Sequence, residues 1–403
     1  MIWSRVPLRL SALAGALALT ACAVQPPQAL QQTPSRQAGP VCIFGPLTLD
    51  ARFPGGRLTA CERLEDGAIQ VTTAPENEPI NPSAWYAFDL TCEECGPVTL
   101  ELAYEGGEHR YPPMVAPVGS QGWPSPVGVA AEETRFTLDP GDSPLRISAQ
   151  PLYTVDQHHQ WLSQVAARTG GTVTEIGRSI EGAPILALLI GDDRPGLLLL
   201  GGQHPPETRG AYAFEAFTER LLADDPLARA WRSAYGLTLI PALNPDGLDA
   251  GHWRHNSAGV DLNRDWGVFA QPETRAVRDH LAQAGAPLMM IDFHGTRRDV
   301  LYTLPDSAGG AWPDFAPQLH GALIDRLGEA APARSGSHRS GSGVSKGWFH
   351  DTYLIPTLTY EVGDATLLED LQATAVASAE IIMALMLQPA QPEAATSPQP
   401  LRP

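Results

Sequence analysis

Leu197-Leu198-Leu199-Leu200-Gly201-Gly202-Gln203-His204-Pro205-Pro206-Glu207 passes from four consecutive leucines through two glycines to an imidazole and a carboxylate. Apolar runs of the same kind recur at Ile185–Ile190, Gly236–Ile240, Leu288–Phe293 and Thr357–Tyr360. Between and around them lie amphipathic stretches at Gln157–Thr169, Tyr212–Ala223, Pro272–Ala284, Pro313–Glu329 and Leu367–Leu387. Strands that are apolar throughout, rather than alternating, are covered on both faces, so this half of the chain predicts an α/β fold with helices flanking a sheet.

Upstream the texture is different. From Val41 to Gln150 short β-like runs such as Trp85–Leu90, Val98–Tyr104 and Thr134–Leu138 are separated by Gly, Pro and Asp turns with almost no helical periodicity. This predicts a small antiparallel β-sandwich. The expected organisation is an export signal over 1–21, a Gln/Pro/Ala-rich tether over 22–40, the sandwich over 41–150, an α/β domain over 151–388 and a disordered Pro/Ala-rich tail over 389–403. A length of 403 residues accommodates two or three domains.

Composition narrows the function. Hydrophobic residues make up 43% and charged residues 18%, a globular balance, and 45 acids against 27 bases give −18, which argues against nucleic-acid binding. Arg5 and Arg9 precede an apolar run, Leu10–Leu19, and Leu19-Thr20-Ala21-Cys22 resembles a bacterial lipobox. That implies a lipid anchor at Cys22 in the cell envelope, and Ala23 after the cysteine leans toward the outer membrane, facing the periplasm. Loss of the two leader arginines leaves 25 bases against 45 acids, a net charge of −20. Cys42, Cys61, Cys92 and Cys95 remain, an even number in an oxidising compartment, with Cys42–Cys61 and Cys92–Cys95 the most local of three connectivities.

In an open α/β sheet, ligands bind beyond the carboxyl ends of strands. His204 and Glu207 follow the Leu197–Leu200 run, His294 follows Ile291-Asp292-Phe293, and Glu361 follows Leu358-Thr359-Tyr360. Two prolines between His204 and Glu207 disfavour a helix interior, so a tight turn must aim both side chains. With His294 they form a His₂Glu set, the ligand type with which hydrolytic zinc keeps one position open for water.

Between these ligands stand Asn244-Pro245-Asp246-Gly247, Trp253-Arg254 and Asp261-Leu262-Asn263-Arg264. In that order the sequence resembles the zinc carboxypeptidases of the carboxypeptidase A type. Trp85-Tyr86-Ala87-Phe88, Tyr111-Pro112-Pro113-Met114, Trp123 and Gln150–Thr154 extend the resemblance to the cytosolic carboxypeptidase, or deglutamylase, branch with its N-terminal β-sandwich. The resemblance implies a mixed sheet flanked by helices and one zinc ion held by His204, Glu207 and His294. Asp261 would fix the His204 tautomer. Glu361 would be general base and then acid, Arg254 would stabilise the oxyanion, and Asn263 with Arg264 would hold the substrate's terminal carboxylate.

The family tyrosine, some twenty residues before the base, is missing: that position falls on Arg339 in Ser335–Gly343, where His338 or Arg339 could donate instead. Lys346 is the sole lysine, fifteen residues before Glu361, where the deglutamylases carry a basic residue; this implies a preference for acidic terminal residues. The expected activity is therefore hydrolysis of C-terminal residues from peptides, with trimming of cell-wall muropeptides as the alternative and L- or D-configuration left open. Gly343-Val344-Ser345-Lys346-Gly347 also matches the serine-hydrolase GxSxG pattern, but Ser and Gly stand where a nucleophile elbow needs an apolar strand.

Overall fold

The computed structural model describes residues 40–388 except 82, 121, 122, 142, 192 and 193. The expected export signal, the expected lipid anchor at Cys22, the expected tether up to residue 39 and the expected tail from 389 lie outside the described residues.

The N-terminal part contains two β-sheets. A six-stranded sheet has the order Val41–Phe44, Leu47–Asp50, Ala87–Cys92, Leu145–Ser148, Met114–Pro117, Ser125–Pro126, and a four-stranded sheet has the order Ala60–Arg63, Ile69–Thr73, Val98–Tyr104, Arg135–Leu138. All pairings are antiparallel except that of Ile69–Thr73 with Val98–Tyr104. Alternate residues of both sheets share one core, among them Leu49, Phe88, Leu90 and Ile147 from the first and Ile69, Val71, Leu100 and Phe136 from the second. Cys42–Cys61 links one sheet to the other, and Cys92 pairs with Cys95.

The C-terminal part is an eight-stranded mixed sheet in the order Thr172–Arg178, Pro184–Ile190, Gly236–Ile240, Gly196–Gly201, Met289–Thr296, Thr357–Gly363, Val300–Thr303, Ala333–Gly336. Its four central strands run parallel to one another. The four leucines explain the two-sided cover directly. Leu197 and Leu199 enter a core with Phe214 and Phe217 of the helix Thr208–Leu221 and Ile382 of the helix Leu368–Met386. Leu198 and Leu200 enter another with Val277 and Leu281 of the helix Pro272–Ala284 and Phe349 of the helix Ser345–Tyr353. All four are fully buried or nearly so, each contributing roughly 1.5–3 kcal/mol.

Local chemistry sets the helix boundaries. Val155–Thr169 begins earlier than its apolar periodicity because Thr154 and Gln157 form a capping box, and it ends at Gly170 in the left-handed conformation. Pro226–Ala234 and Pro245–Ala250, which periodicity does not reveal, are started by Asp225 and Asn244 caps followed by proline. Among the described residues, no helix is long and apolar enough to cross a membrane.

Candidate metal centre and active site

The strands Gly196–Gly201, Met289–Thr296 and Thr357–Gly363 are parallel neighbours, and their carboxyl ends deliver His204, His294 and Glu361 to one place. Gly202, with φ of +66°, turns the chain off the first strand; a Cβ there would lie 2.7 Å from the Pro241 carbonyl oxygen. The helix Thr208–Leu221 then starts behind Glu207, whose carboxylate does not cap its own helix and is left to face the imidazoles. Its Oε1 lies 3.0 Å from His204 Nδ1 and its Oε2 2.7 Å from His294 Nδ1. The Gly295 N–H donates to Oε2 at 3.2 Å. Close approach of helix to strand requires Gly210, where a Cβ would lie 2.8 Å from the His294 carbonyl oxygen.

The remaining ring nitrogens lie against carboxylates. His204 Nε2 donates to Asp261 Oδ1 at 3.0 Å, which directs its Nδ1 lone pair inward, and His294 Nε2 lies 3.0 Å from Asp292 Oδ2. The two Nδ1 atoms stand 3.1 Å apart, and the donor atoms of His204, Glu207 and His294 all lie within 4.8 Å of one another. Two imidazole lone pairs and one buried carboxylate converging on a common point fit a zinc ion. Burial alone would raise the Asp261 carboxyl, but His204 and Arg254 hold it well below the usual carboxylate range.

Glu361 pairs in register with His294 on the neighbouring strand, and its Oε2 is buried without a protein partner. Burial, reinforced by the nearby Glu207 carboxylate, pushes this carboxyl up to about 7, a value suited to proton transfer near neutral pH. The Arg254 Nε donates to Asp261 Oδ2 at 2.7 Å, and its Nη1 lies 3.7 Å from Glu207 Oε1. Asn263 Oδ1 accepts the Ser345 N–H at 2.9 Å, and the Asn263 amide nitrogen lies 3.3 Å from His294 Nε2. Arg264 is exposed and shares a cavity of about 360 Å³ with Ser337, His338, Arg339, Ser342, Val344, Lys346 and Gly347. Asp261, Arg254, Asn263 and Glu361 thus stand around the His204, Glu207 and His294 cluster, and Arg264 and Lys346 line the cavity. Ser345 of the GxSxG match is fully buried and donates its hydroxyl to Asp292, and its helix follows a loop rather than a strand.

Asp292 was not given a role by its sequence position. A carboxylate inside a fully buried strand needs partners, and that was the available signal. Besides His294, its Oδ2 accepts the Gln203 amide at 2.6 Å and the Ser345 hydroxyl. Asp292→Asn is expected to weaken zinc binding by about 10–100-fold, read by competition with a chelator of known affinity; wild-type affinity would show that the contact orients nothing.

Comparison with known proteins agrees with this geometry. Residues 158–364 match the model of the zinc carboxypeptidase family. An uncharacterised protein of Zymomonas mobilis is 27% identical over 268 residues, covering 62% of this chain and 67% of the relative. Human cytosolic carboxypeptidase 4 is 34% identical over 109 residues, 25% of this chain, which spans only 10% of that protein's length. Among solved structures, a metallo-carboxypeptidase from Burkholderia cenocepacia superposes with a TM-score of 0.71 at 20% identity, over 84% of this chain and 99% of the other. One from Pseudomonas aeruginosa, in complex with (2-guanidinoethylmercapto)succinic acid, gives 0.67 at 19% identity, over 84% and 98%.

Proposed function

Since this chain belongs to the zinc carboxypeptidase family and is a metallocarboxypeptidase, we propose that it releases single residues from free peptide C-termini and prefers those with an acidic side chain. One observation carries the preference. The cavity reached by Arg264, next to Asn263, is lined by Arg264, His338, Arg339 and Lys346 and, among the described residues, by no carboxylate, in a chain where acids outnumber bases 45 to 27. Such a wall suits a residue bearing two carboxylates, one terminal and one on the side chain.

Lys346 is buried, with its Nζ donating to the carbonyl oxygens of Thr303 at 2.7 Å and Ser337 at 2.6 Å. An ammonium has three donors, so one is left for a ligand. Burial pushes the Lys346 ammonium down to about 8. Arg339, or His338, whose Nε2 lies 2.9 Å from Asp351 Oδ1, would donate in place of the missing tyrosine.

His204, Glu207 and His294 would hold a zinc ion, which would supply Lewis acidity toward the scissile carbonyl and the attacking water. Glu361 would take a proton from the attacking water and return it to the leaving amine. Arg254, fixed by Asp261, offers its remaining donors to the oxygen that gains charge. Arg264 and Asn263 hold the substrate's end beside these groups. The lipobox pattern at Cys22 supports action at the cell envelope, on peptides or on muropeptides.

The test is a library of peptides with varied C-termini, together with their amides and with muropeptides, analysed for released residues by mass spectrometry. Glu- and Asp-terminated peptides are expected to be cleaved first and amides not at all. Equal cleavage of free and amidated ends would refute the exopeptidase reading, and release from muropeptides alone would redirect it to cell-wall trimming. Lys346→Ala should reduce the Glu-over-Leu preference roughly ten- to a hundredfold, the equivalent of a charge-assisted hydrogen bond of about 1.5–3 kcal/mol, with zinc content unchanged. The preference should also fade as pH rises through about 8, because the cation is lost there while substrate carboxylates stay ionised. A wild-type preference for aromatic or basic ends would contradict this assignment while leaving the metal centre intact.

A further inference from the structure

The segment carrying Arg254 is gripped from the N-terminal β region. Trp253 is buried in the core of that region, and its indole N–H donates to the Trp85 carbonyl oxygen at 3.1 Å. A Cβ at Gly107 would lie 2.4 Å from its ring, so the two parts meet without slack. Glu76, in the loop after the strand Ile69–Thr73, has a side chain only 5% exposed. Its Oε2 accepts the Trp253 N–H at 2.7 Å, and its Oε1 accepts the N–H groups of Arg254 at 3.0 Å and His255 at 2.5 Å. Asn77, the next residue, places its Oδ1 2.8 Å from His255 Nδ1 and donates to the Gly259 carbonyl oxygen at 3.3 Å.

Three successive backbone N–H groups converging on one buried carboxylate fix the peptide planes on both sides of Arg254. Those planes set the direction in which its side chain leaves the backbone, toward Asp261 and Glu207. We propose that Glu76 is a positioning residue for Arg254, so that the β region contributes to turnover by aiming the guanidinium. The inference rests on the reading of Arg254 as the group that stabilises the oxyanion. Burial alone would push the Glu76 carboxyl up, but His252 and the N–H donors of His255 and Trp253 outweigh it, so the anion is the bound form. Glutamine cannot replace it, because its amide N–H₂ would face an N–H donor.

The test is a double-mutant cycle of Glu76→Gln and Arg254→Ala in the full chain loaded with zinc, reading kcat, KM, bound zinc and the melting temperature. Arg254→Ala is expected to lower kcat by about 10²–10³-fold. Glu76→Gln should lower kcat by about 10–100-fold with KM within about threefold of wild type and zinc retained, since a misplacement near 1 Å has effects of that size. The double variant should be no slower than Arg254→Ala alone, because a misaimed side chain matters only if it is present. Losses that multiply, or a Glu76→Gln protein with wild-type kcat, overturn the proposal. An Arg254→Ala protein with wild-type kcat instead refutes the reading beneath it, and the proposal falls with that reading. If Glu76→Gln does not fold, Glu76→Asp, which keeps the charge but retracts it by one methylene, enters the same cycle with an expected loss of about threefold.

Discussion

Glu361→Gln should reduce kcat by about 10²–10⁴-fold while bound zinc, melting temperature and KM stay close to wild type. The substitution replaces one carboxyl oxygen by an amide nitrogen of nearly the same size. Oε2 has no protein partner among the described residues, so no protein hydrogen bond at that atom is broken. What disappears is the ability to take up and return a proton, for which burial and Glu207 have raised this group to about 7. Steady-state kinetics on a Glu-terminated peptide, with metal analysis on the same sample, check it. Turnover within a few-fold of wild type would remove Glu361 from the mechanism.

His294→Ala should lose both activity and metal, the other large effect. It removes one of three converging candidate ligands and takes the imidazole from beside the buried Asp292 carboxylate, which keeps the Gln203 amide and the Ser345 hydroxyl. Wild-type protein stripped of metal should melt higher when one equivalent of zinc is returned, because a ligand bound only by the folded state stabilises it. His294→Ala should show no such shift. A zinc-dependent shift equal to that of wild type would place the metal elsewhere.

Much of the catalytic half could be read from the sequence because its strands have a buried, one-dimensional signature. The four leucines look the same in sequence, yet they feed two cores on opposite faces, and that is why no polar residue interrupts them. The candidate ligands stood out because His294 follows such a run directly and His204 and Glu207 follow one across Gly201-Gly202-Gln203. Three things were not. Helices such as Pro226–Ala234 depend on a cap and a proline more than on periodicity. Asp292 looks like an interruption of an apolar strand until the fold brings Gln203, Ser345 and His294 around it. Glu76 is separated from Arg254 by 178 positions, a contact that only the joining of the β region to the α/β part creates. The cavity is an intermediate case: Lys346 stood out as the sole lysine, but its company with Arg264, His338 and Arg339 is a property of the folded chain.

The most direct test of the account is a zinc titration of chelator-stripped protein, following release of glutamate from a peptide with a free C-terminal Glu. The donor set of His204, Glu207 and His294 predicts no release at zero metal and a linear return of activity that saturates at one zinc per chain. Full hydrolysis by stripped protein, or saturation only at two or more equivalents, would contradict it.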